Sequence, residues 1–244
     1  MTQPIHQTKN QLLAALDPED LEALSRDLTP LRLEKGALLY EPGDEVQDIY
    51  FPENAVISLL TLMRSGEAIE SATIGREGAL GLLAAVDERQ SQSRAIIQIP
   101  GEVLRIPALQ LRLTVLRSKD LRRLIDRHSE ALFAHVAQSV ACNALHSVEA
   151  RFCRWLLCCH DRIDSDRISL TQEFLADMLG VQRTTVTVVA RTLQAAGLIR
   201  YSRGVVDILD RAGLEAISCE CYGQVRRHYQ RLLPGSFLQR AEPA

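Results

Sequence analysis

The sequence predicts an α+β fold in which an N-terminal antiparallel β-roll or jelly roll is followed by a long helix and by a small helical unit that contains a β-hairpin. Short apolar runs cut by Gly, Pro and Asn fill residues 31–106, which is typical of antiparallel sheets. Residues 108–147 contain no Gly or Pro and repeat apolar side chains at helical spacing. Residues 168–204 then read as two helices around a turn glycine, followed by the hairpin.

The bulk composition is that of an ordinary globular protein, and its charge is unevenly distributed. The 244 residues suffice for two modest domains, with 46% hydrophobic and 24% charged residues and a formal net charge of -3. Residues 1–148 hold 15 basic and 20 acidic side chains, whereas residues 149–233 hold 12 and 10. The positive charge is therefore local to the C-terminal part.

The sequence shows no signal for a membrane, a secretory pathway or a metal. No apolar run approaches the roughly 20 residues of a membrane span, and the N-terminus lacks the apolar core of a signal peptide. The six cysteines all lie in the second half and have no zinc-finger spacing to histidines. We therefore expect a cytoplasmic protein with reduced thiols, no metal and no cofactor. A redox role is an open alternative for Cys158, Cys159, Cys219 and Cys221.

Residues 1–107 form the first predicted domain, which contains N-terminal helices and the β-roll. Residues 11–28 predict two short helices, the second with Asp17 as N-cap and Pro18 in its first turn. Residues 79–86 predict one short helix among strands of about five to eight residues. The predicted turns lie at 36, 42–43, 52–54, 65–66, 75–78 and 100–101.

Residues 108–147 are predicted to be a dimerisation helix region, with one or two helices of which the last is long. Its heptad pattern gives a narrow apolar stripe that predicts a seam between two chains. The alternative is that this stripe packs against the chain's own sandwich. A pH-sensitive seam and a haem on one of its histidines are further alternatives. The predicted seam residues are Leu121, Leu124, Ile125, His128, Leu132 and His135.

Residues 148–233 are predicted to form the third domain, a winged helix-turn-helix. Thr171 or Ser169 caps the first helix of the pair, and Gly180 supplies the turn with a positive φ. Asp210 caps the last helix. In chain order the expected elements are a helix over 148–160, the helix pair with its second member over about 182–195, a hairpin closed at 202–204, a helix over 211–232 and a tail over 234–244.

The second helix of the pair and the hairpin carry an acid-free stretch. No Asp or Glu occurs between Met178 and Val206, whereas four arginines do, a pattern typical of a phosphate-binding face. Arg and Gln match guanine and adenine edges, and Thr contacts a thymine methyl or a phosphate. An arginine at the hairpin tip reaches a phosphate or the minor groove. The sequence thus predicts binding to double-stranded DNA through Thr171, Gln172, Gln182, Arg183, Thr184, Thr185, Thr187, Arg191 and Arg203.

The chain resembles the Crp/Fnr family of bacterial transcription regulators over about residues 11–232. The most specific segment is LTQEFLADMLGVQRTTVTVVARTLQAAGLI, which is similar to the family's helix-turn-helix. The resemblance implies a homodimer whose recognition helices enter successive major grooves about 34 Å apart, and which recruits or blocks RNA polymerase. Where the family often has Arg, Glu and Arg in this helix, the chain has Arg183, Thr184 and Val188, so we expect a different operator.

The resemblance also implies a ligand pocket in the roll. In family members that bind cyclic nucleotides, a Gly-Glu pair opens a short helix and an arginine follows about ten residues later, an arrangement that holds phosphate and ribose. Here the pair is interrupted, so we expect an effector other than a cyclic nucleotide, with cyclic-nucleotide binding as the alternative. The family's iron–sulfur ligation is absent, because no cysteine precedes Cys142. The corresponding pocket residues are Gly75, Arg76, Glu77, Gly78 and Ser91.

Two other classes of function compete with this interpretation. An enzyme with a cupin-like metal pocket would need histidines on the strands, but residues 31–106 contain none. P-loop, dinucleotide-binding and nucleophile-elbow motifs are also absent, so we expect no enzymatic activity. The second class, a protein-interaction module that does not bind DNA, is disfavoured by the acid-free arginine stretch.

Overall fold

The computed structural model describes residues 8–235, so residues 236–244 of the predicted tail lie outside the described residues. The fold is mixed, with an antiparallel N-terminal part, a long central helix and a C-terminal helix-turn-helix, as predicted. In chain order its elements are α1 (Gln11–Ala14), α2 (Pro18–Ser25), β1 (Thr29–Leu33), β2 (Leu38–Tyr40), β3 (Asp48–Pro52), β4 (Val56–Leu62), β5 (Ala68–Ile74), a 3₁₀ turn (Leu82–Ala85), β6 (Arg94–Ile99), β7 (Gly101–Pro107), α3 (Ala108–Val115), α4 (Lys119–Leu145), α5 (Val148–His160), β8 (Arg167–Ser169), α6 (Gln172–Leu179), α7 (Arg183–Ala195), β9 (Ile199–Ser202), β10 (Val205–Ile208), α8 (Arg211–Ile217) and α9 (Cys221–Leu232).

The β-roll consists of two antiparallel sheets whose inner faces form its core. One sheet has the strand order β1-β7-β3 and the other β2-β6-β4-β5. Ile49 pairs with Ile106 and Ile57 with Ile97, and none of the four is solvent exposed. Burying one such side chain contributes about 1.5–3 kcal/mol, so the β-branched inner faces hold the roll together.

The long helix α4 lies between the roll and the C-terminal helix α9. Ser118 caps α4, its hydroxyl accepting a hydrogen bond from the Leu121 backbone N–H at 3.0 Å. Further along α4, the rings of His135 and Tyr229 of α9 meet edge to face, with centroids 6.2 Å apart. α9 also contributes Val225 to the core shared with the roll. One face of α4 is thus covered within the chain.

This packing corrects the predicted dimer seam. Leu121, Ile125, His128 and His135 are at most 3% exposed within the single chain, and Leu124 and Leu132 pack partly buried against the same core. These residues therefore pack against the chain's own core, which was the alternative interpretation of the apolar stripe. Helix α4 carries a second line of apolar residues, which faces outward. The heptad pattern alone did not distinguish the buried line from the exposed one. This outward line consists of Phe133, Ala137, Val140 and Ala144.

The C-terminal unit has the predicted helix pair, turn and wing. Gly180 ends α6 with φ 62°, the left-handed conformation that a glycine adopts without strain. Strands β8, β10 and β9 form a three-stranded sheet in that order. The hairpin closes through Arg203 and Gly204, with φ 50° and 76°, so the two-residue turn has both φ values positive.

The last predicted helix, 211–232, is instead two helices. Asp210 caps α8 as expected, accepting a hydrogen bond from the Gly213 backbone N–H at 2.9 Å. Ser218 then has an extended backbone, with φ -62° and ψ 150°, and α9 begins at Cys221. Helical periodicity on both sides concealed this break, which turns the chain towards the end of α4.

Helix α5 joins the roll to the C-terminal unit. Phe152, Trp155 and Leu156 of α5 are buried in a core that also contains Val56 and Leu60 of β4. The roll and the C-terminal unit therefore share a continuous apolar contact. Within residues 8–235 no helix has both the length and the apolar character that a membrane crossing requires.

Candidate DNA-binding site

The first helix of the pair is held in place by its cap and by a contact with α7. The Thr171 hydroxyl accepts a hydrogen bond from the Phe174 backbone N–H at 3.2 Å, so Thr171 rather than Ser169 is the cap. The Thr187 hydroxyl donates to the Gln172 side-chain carbonyl at 2.9 Å. Gln172 and Thr187, two of the predicted DNA contacts, are half-buried and link the helices to each other.

Helix α7 presents a polar face to solvent and buries the opposite one. Val186, Ala190 and Leu193 are at most 2% exposed, because residues spaced three and four apart share a face of a helix. Thr185 is half-buried, and the remaining predicted residues of this segment are exposed: Gln182, Arg183, Thr184 and Arg191.

Val188 is a surface residue of this face that the sequence analysis did not assign to DNA. It is 62% exposed, four residues after Thr184 and three before Arg191, so it lies in the same line. Its helical spacing from Thr184 is the sequence signal that could have identified it. An exposed valine between polar residues offers an apolar contact for a thymine methyl group.

The wing brings a second arginine towards the start of α7. A cleft of about 360 Å³ opens between the beginning of α6, the beginning of α7 and the hairpin. Burial raises the pKa of Tyr201 to about 12, and its neutral hydroxyl donates to the Leu170 carbonyl at 2.9 Å. The cleft carries the positive charges of two arginines, and its lining residues are Thr171, Gln172, Arg183, Tyr201, Arg203 and Gly204.

Three of the four arginines in the acid-free stretch keep their charge available. Within residues 8–235, Arg183, Arg191 and Arg203 form no salt bridge with a carboxylate. Arg200 differs, because its guanidinium binds Asp207 across the hairpin at 2.9 Å. The arginines that face outward therefore give α7 and the wing a positive surface suited to phosphates.

The residues expected to form a ligand pocket are engaged with their own chain. Glu77 is 1% exposed and accepts hydrogen bonds from Arg162 Nε at 2.9 Å and Nη2 at 2.7 Å. A Cβ on Gly75 would lie 2.4 Å from Arg162 Cδ, so the arginine packs directly on this glycine. Arg76 donates to the Arg162 carbonyl at 2.8 Å, and Asn10 donates to the Gly78 carbonyl at 2.9 Å.

Ser91, the fifth residue of the predicted pocket, is bound within its own turn. Its hydroxyl donates to the Ser93 carbonyl at 2.7 Å, and its backbone N–H donates to the Asp44 carbonyl at 2.8 Å. The arginine that follows, Arg94, pairs with Glu41 at 2.7 Å. The polar groups near position 91 therefore satisfy one another, and a local arginine does not complete the family's phosphate site.

The two buried histidines of α4 are neutral. Desolvation lowers the pKa of His128 to about 4 and lowers that of His135 well below its ordinary value. The His128 ring lies against Gly78 and accepts a hydrogen bond from the Ala79 backbone N–H at 3.4 Å. The direction of both pKa shifts argues against a pH-sensitive seam built on these two histidines.

Five of the six cysteines fall into two groups. Cys158 and Cys159 are buried, and desolvation raises the pKa of both thiols, which disfavours the thiolate that oxidation requires. Cys219 and Cys221, in contrast, meet two residues from the end of α4. The four potential ligand atoms of Cys142, His146, Cys219 and Cys221 lie within 4.8 Å of one another, a grouping that sequence spacing did not reveal.

Comparisons with known proteins match both halves of the chain. A cyclic nucleotide-binding domain model matches residues 30–118, and a Crp-like helix-turn-helix domain model matches residues 150–217. The global nitrogen regulator of Synechocystis sp. is 23% identical over 216 residues, which are 82% of this chain and 93% of that protein.

Solved structures share the fold. FixK2 from Bradyrhizobium japonicum has a TM-score of 0.67 at 15% identity, covering 79% of this chain and 98% of its own. A CRP-family transcriptional regulator from Thermus thermophilus has a TM-score of 0.64 at 21% identity, covering 77% of this chain and 96% of its own. The two domain models match residues 30–118 and 150–217, which together make up more than half of the chain. The chain therefore belongs to the Crp/Fnr family, a family of transcription regulators rather than enzymes.

Proposed function

We propose that this protein is a sequence-specific DNA-binding transcription regulator that acts as a homodimer, with α7 as its recognition helix. The observation that carries the proposal is the outward face of α7, where Arg183 and Arg191 form no salt bridge among residues 8–235 and Arg183 lines one cleft with the wing arginine, Arg203. A helix of this kind fits the major groove, while the wing contacts the adjacent backbone.

The side chains at the start of α7 are the ones that read sequence. Arg183 is positioned to donate two hydrogen bonds to a guanine, and Gln182 to pair with an adenine. Thr184 and Val188 supply methyl groups for thymine. Because this set differs from the Arg, Glu and Arg of many relatives, the half-site differs from theirs. Thr171 and Arg203 hold phosphates on either side and fix the register.

The second copy of the chain binds along the outward apolar line of α4. Phe133 and Val140 are 74% and 67% exposed, and with Ala137 and Ala144 they follow the alternating four- and three-residue spacing of a coiled-coil seam. The small alanines let two helices approach closely. A symmetric pair of α4 helices would hold the two recognition helices about 34 Å apart, in successive major grooves.

The regulating signal, where there is one, is a molecule other than a cyclic nucleotide. The side chain of Arg162 covers Gly75 and neutralises Glu77, the residues that would hold a phosphate and a ribose. Calorimetric titration with cyclic AMP and cyclic GMP tests this point. We expect no heat of binding, and micromolar affinity for either nucleotide would contradict it.

Selection of bound sequences from random duplexes tests the proposed function. We expect a two-fold symmetric site, with an affinity that falls steeply as the salt concentration rises. Purified protein that prefers no duplex over another would overturn the proposal and favour a module that binds protein. A transcription assay with the selected site near a promoter then distinguishes recruitment of RNA polymerase from its blockage.

A further inference from the structure

Four side chains of metal-binding type meet at the end of the long helix. Cys142 lies on the last turn of α4 and His146 is the residue that caps it, four positions apart on one helix face. Cys219 precedes α9, and Cys221 is its first residue. The sulfur atoms of Cys142 and Cys219 belong to residues 77 positions apart and are separated by 3.5 Å.

The distances fit the edges of a tetrahedron around zinc. With Zn–S of about 2.3 Å and Zn–N of about 2.0 Å, tetrahedral geometry requires S···S edges of about 3.8 Å and S···N edges of about 3.5 Å. The Cys142 and Cys219 sulfurs are 3.5 Å apart. Cys221 Sγ and His146 Nδ1 are also 3.5 Å apart. All four ligand atoms lie within 4.8 Å of one another, so a small adjustment closes them around one ion.

The neighbours of these four residues are those of a metal site. Nε2 of His146 contacts the Glu220 carboxylate at 3.1 Å, which leaves Nδ1 directed at the cysteines. A carboxylate that orients the second nitrogen of a histidine is a common feature of zinc sites. Gln138 donates a hydrogen bond to Cys221 Sγ at 3.0 Å, an N–H···S contact that stabilises a thiolate.

A buried arginine, Arg154, lies close to the cluster. Arg154 of α5 is 8% exposed, and within residues 8–235 it pairs with no carboxylate; its Nε lacks a hydrogen-bond partner. Its charge interacts with Cys158, Cys142 and Cys219, and also with the Glu70 carboxylate. Three thiolates, a neutral imidazole and Zn²⁺ carry a net charge of -1, which this buried arginine balances.

We propose that Cys142, His146, Cys219 and Cys221 form a closed structural Zn²⁺ site. The four ligands are supplied by the chain itself and three of them are buried, which leaves no open position for a reacting molecule. The ion fastens the start of α9 to the end of α4, next to the short link into α5. It thereby fixes the C-terminal unit relative to the long helix, and three thiols lose their protons when it binds.

Metal analysis of the purified full-length protein tests the site directly. We expect about one zinc per chain after gel filtration, and its loss from the Cys219→Ser variant. Cys153→Ala is the matched control, because Cys153 is a buried thiol outside the cluster and its removal leaves the zinc content unchanged. His146→Cys is expected to keep the ion through a fourth thiolate, a rescue that a purely packing role of His146 would not give.

Two further measurements keep the proposal testable if Cys219→Ser does not fold. Glu220 is exposed, and Glu220→Ala should weaken zinc affinity by about 10-fold or more without unfolding the chain. In the wild type, zinc should protect Cys142, Cys219 and Cys221 from alkylation. A wild-type protein that neither contains nor takes up zinc would overturn the proposal. So would a Cys142–Cys219 disulfide in the native protein, an iron–sulfur chromophore at the cluster, or full zinc content in a folded Cys219→Ser variant.

Discussion

The guanidinium of Arg162 binds one carboxylate oxygen of Glu77 through two nitrogens, Nε at 2.9 Å and Nη2 at 2.7 Å. Both side chains are 1% exposed. Glu77 follows β5 in the roll, whereas Arg162 follows α5, so the pair joins the roll to the DNA-binding unit. The pair lies in the segment where the sequence analysis expected a ligand pocket, and there the Glu77 carboxylate is bound by the chain's own arginine.

Removal of Arg162 should strongly destabilise the protein. Arg162→Ala leaves the Glu77 carboxylate buried without its partner, and breaking a buried ion pair costs about 3–5 kcal/mol. Urea denaturation followed by circular dichroism measures the free energy of unfolding. Arg26→Ala is the control, since Arg26 is 78% exposed and lies 3.9 Å from Glu22, and it should change that energy by about 0.5 kcal/mol or less. Equal effects of the two substitutions would contradict the role of the buried pair.

Arg183→Ala should weaken specific DNA binding by about 1–3 kcal/mol and relax the preference at one base pair. The reason is the loss of two hydrogen bonds to a single base edge. Fluorescence anisotropy on the selected duplex and on variants of each base pair measures both effects. Arg64→Ala, at an exposed turn of the roll, is the matched control and should bind as the wild type does. An unchanged sequence preference in Arg183→Ala would refute the assignment.

Arg203→Asn should change stability and DNA binding in opposite directions. Arg203 has φ 50°, a conformation that costs most L residues about 1–2 kcal/mol and that asparagine tolerates better. We expect the free energy of unfolding to rise by up to about 1 kcal/mol. DNA affinity should fall, and the slope of the logarithm of the binding constant against the logarithm of the salt concentration should decrease in magnitude by about 1. Arg203→Lys keeps both the charge and the strained turn, so its stability should match the wild type. Weaker DNA binding without any gain in stability would contradict the strained turn.

Phe133→Glu should dissociate the dimer. A charge in the middle of an apolar helix pair is desolvated without a partner, and loss of a central aromatic contact costs about 2 kcal/mol or more in association. Sedimentation velocity over a range of protein concentrations measures the shift to monomer. Leu38→Glu is the control, because Leu38 is 53% exposed on the roll, away from α4. A dimer that survives Phe133→Glu would place the seam elsewhere.

Glu70 should make stability depend on pH near neutrality. Burial raises its pKa from 4.5 to about 7, although Ser58, Trp155 and the charges of Arg154 and Arg162 oppose the shift. The folded state holds this proton more tightly than the unfolded state does. The contribution to stability is therefore complete below pH 4.5 and is lost as the pH rises through 7. The loss amounts to about 3 kcal/mol.

Trp155 provides the measurement for this prediction. It is the only tryptophan of the chain, and its indole N–H donates to Glu70 at 3.1 Å. Its fluorescence should titrate with an apparent pKa of about 7 in the wild type and remain constant in Glu70→Gln. Glu67→Gln, exposed on the same hairpin, should titrate like the wild type. A wild-type fluorescence signal that is flat from pH 5 to 9 would contradict the shift.

Local signals in the sequence were sufficient to predict most helices and turns. The expected helix over 148–160 agrees with α5, and Gly180 has the expected positive φ, because caps, turn glycines and helical periodicity act over a few residues. The expected helix over 211–232 was wrong, since periodicity continues across the extended Ser218. Four of the six expected seam residues are buried within their own chain for a related reason. Both faces of α4 carry apolar residues, and only the packed chain distinguishes them.

The sequence by itself determined the order of the units and the presence of the second helix of the pair, because helical periodicity and a turn glycine are local patterns. Only the tertiary structure decided that Arg162 meets Glu77 and that the ends of α4 and α9 bring three cysteines and a histidine together. These contacts join residues more than 70 positions apart. Such contacts depend on how the elements pack, since spacing along the chain carries no information about which distant side chains will share a buried space.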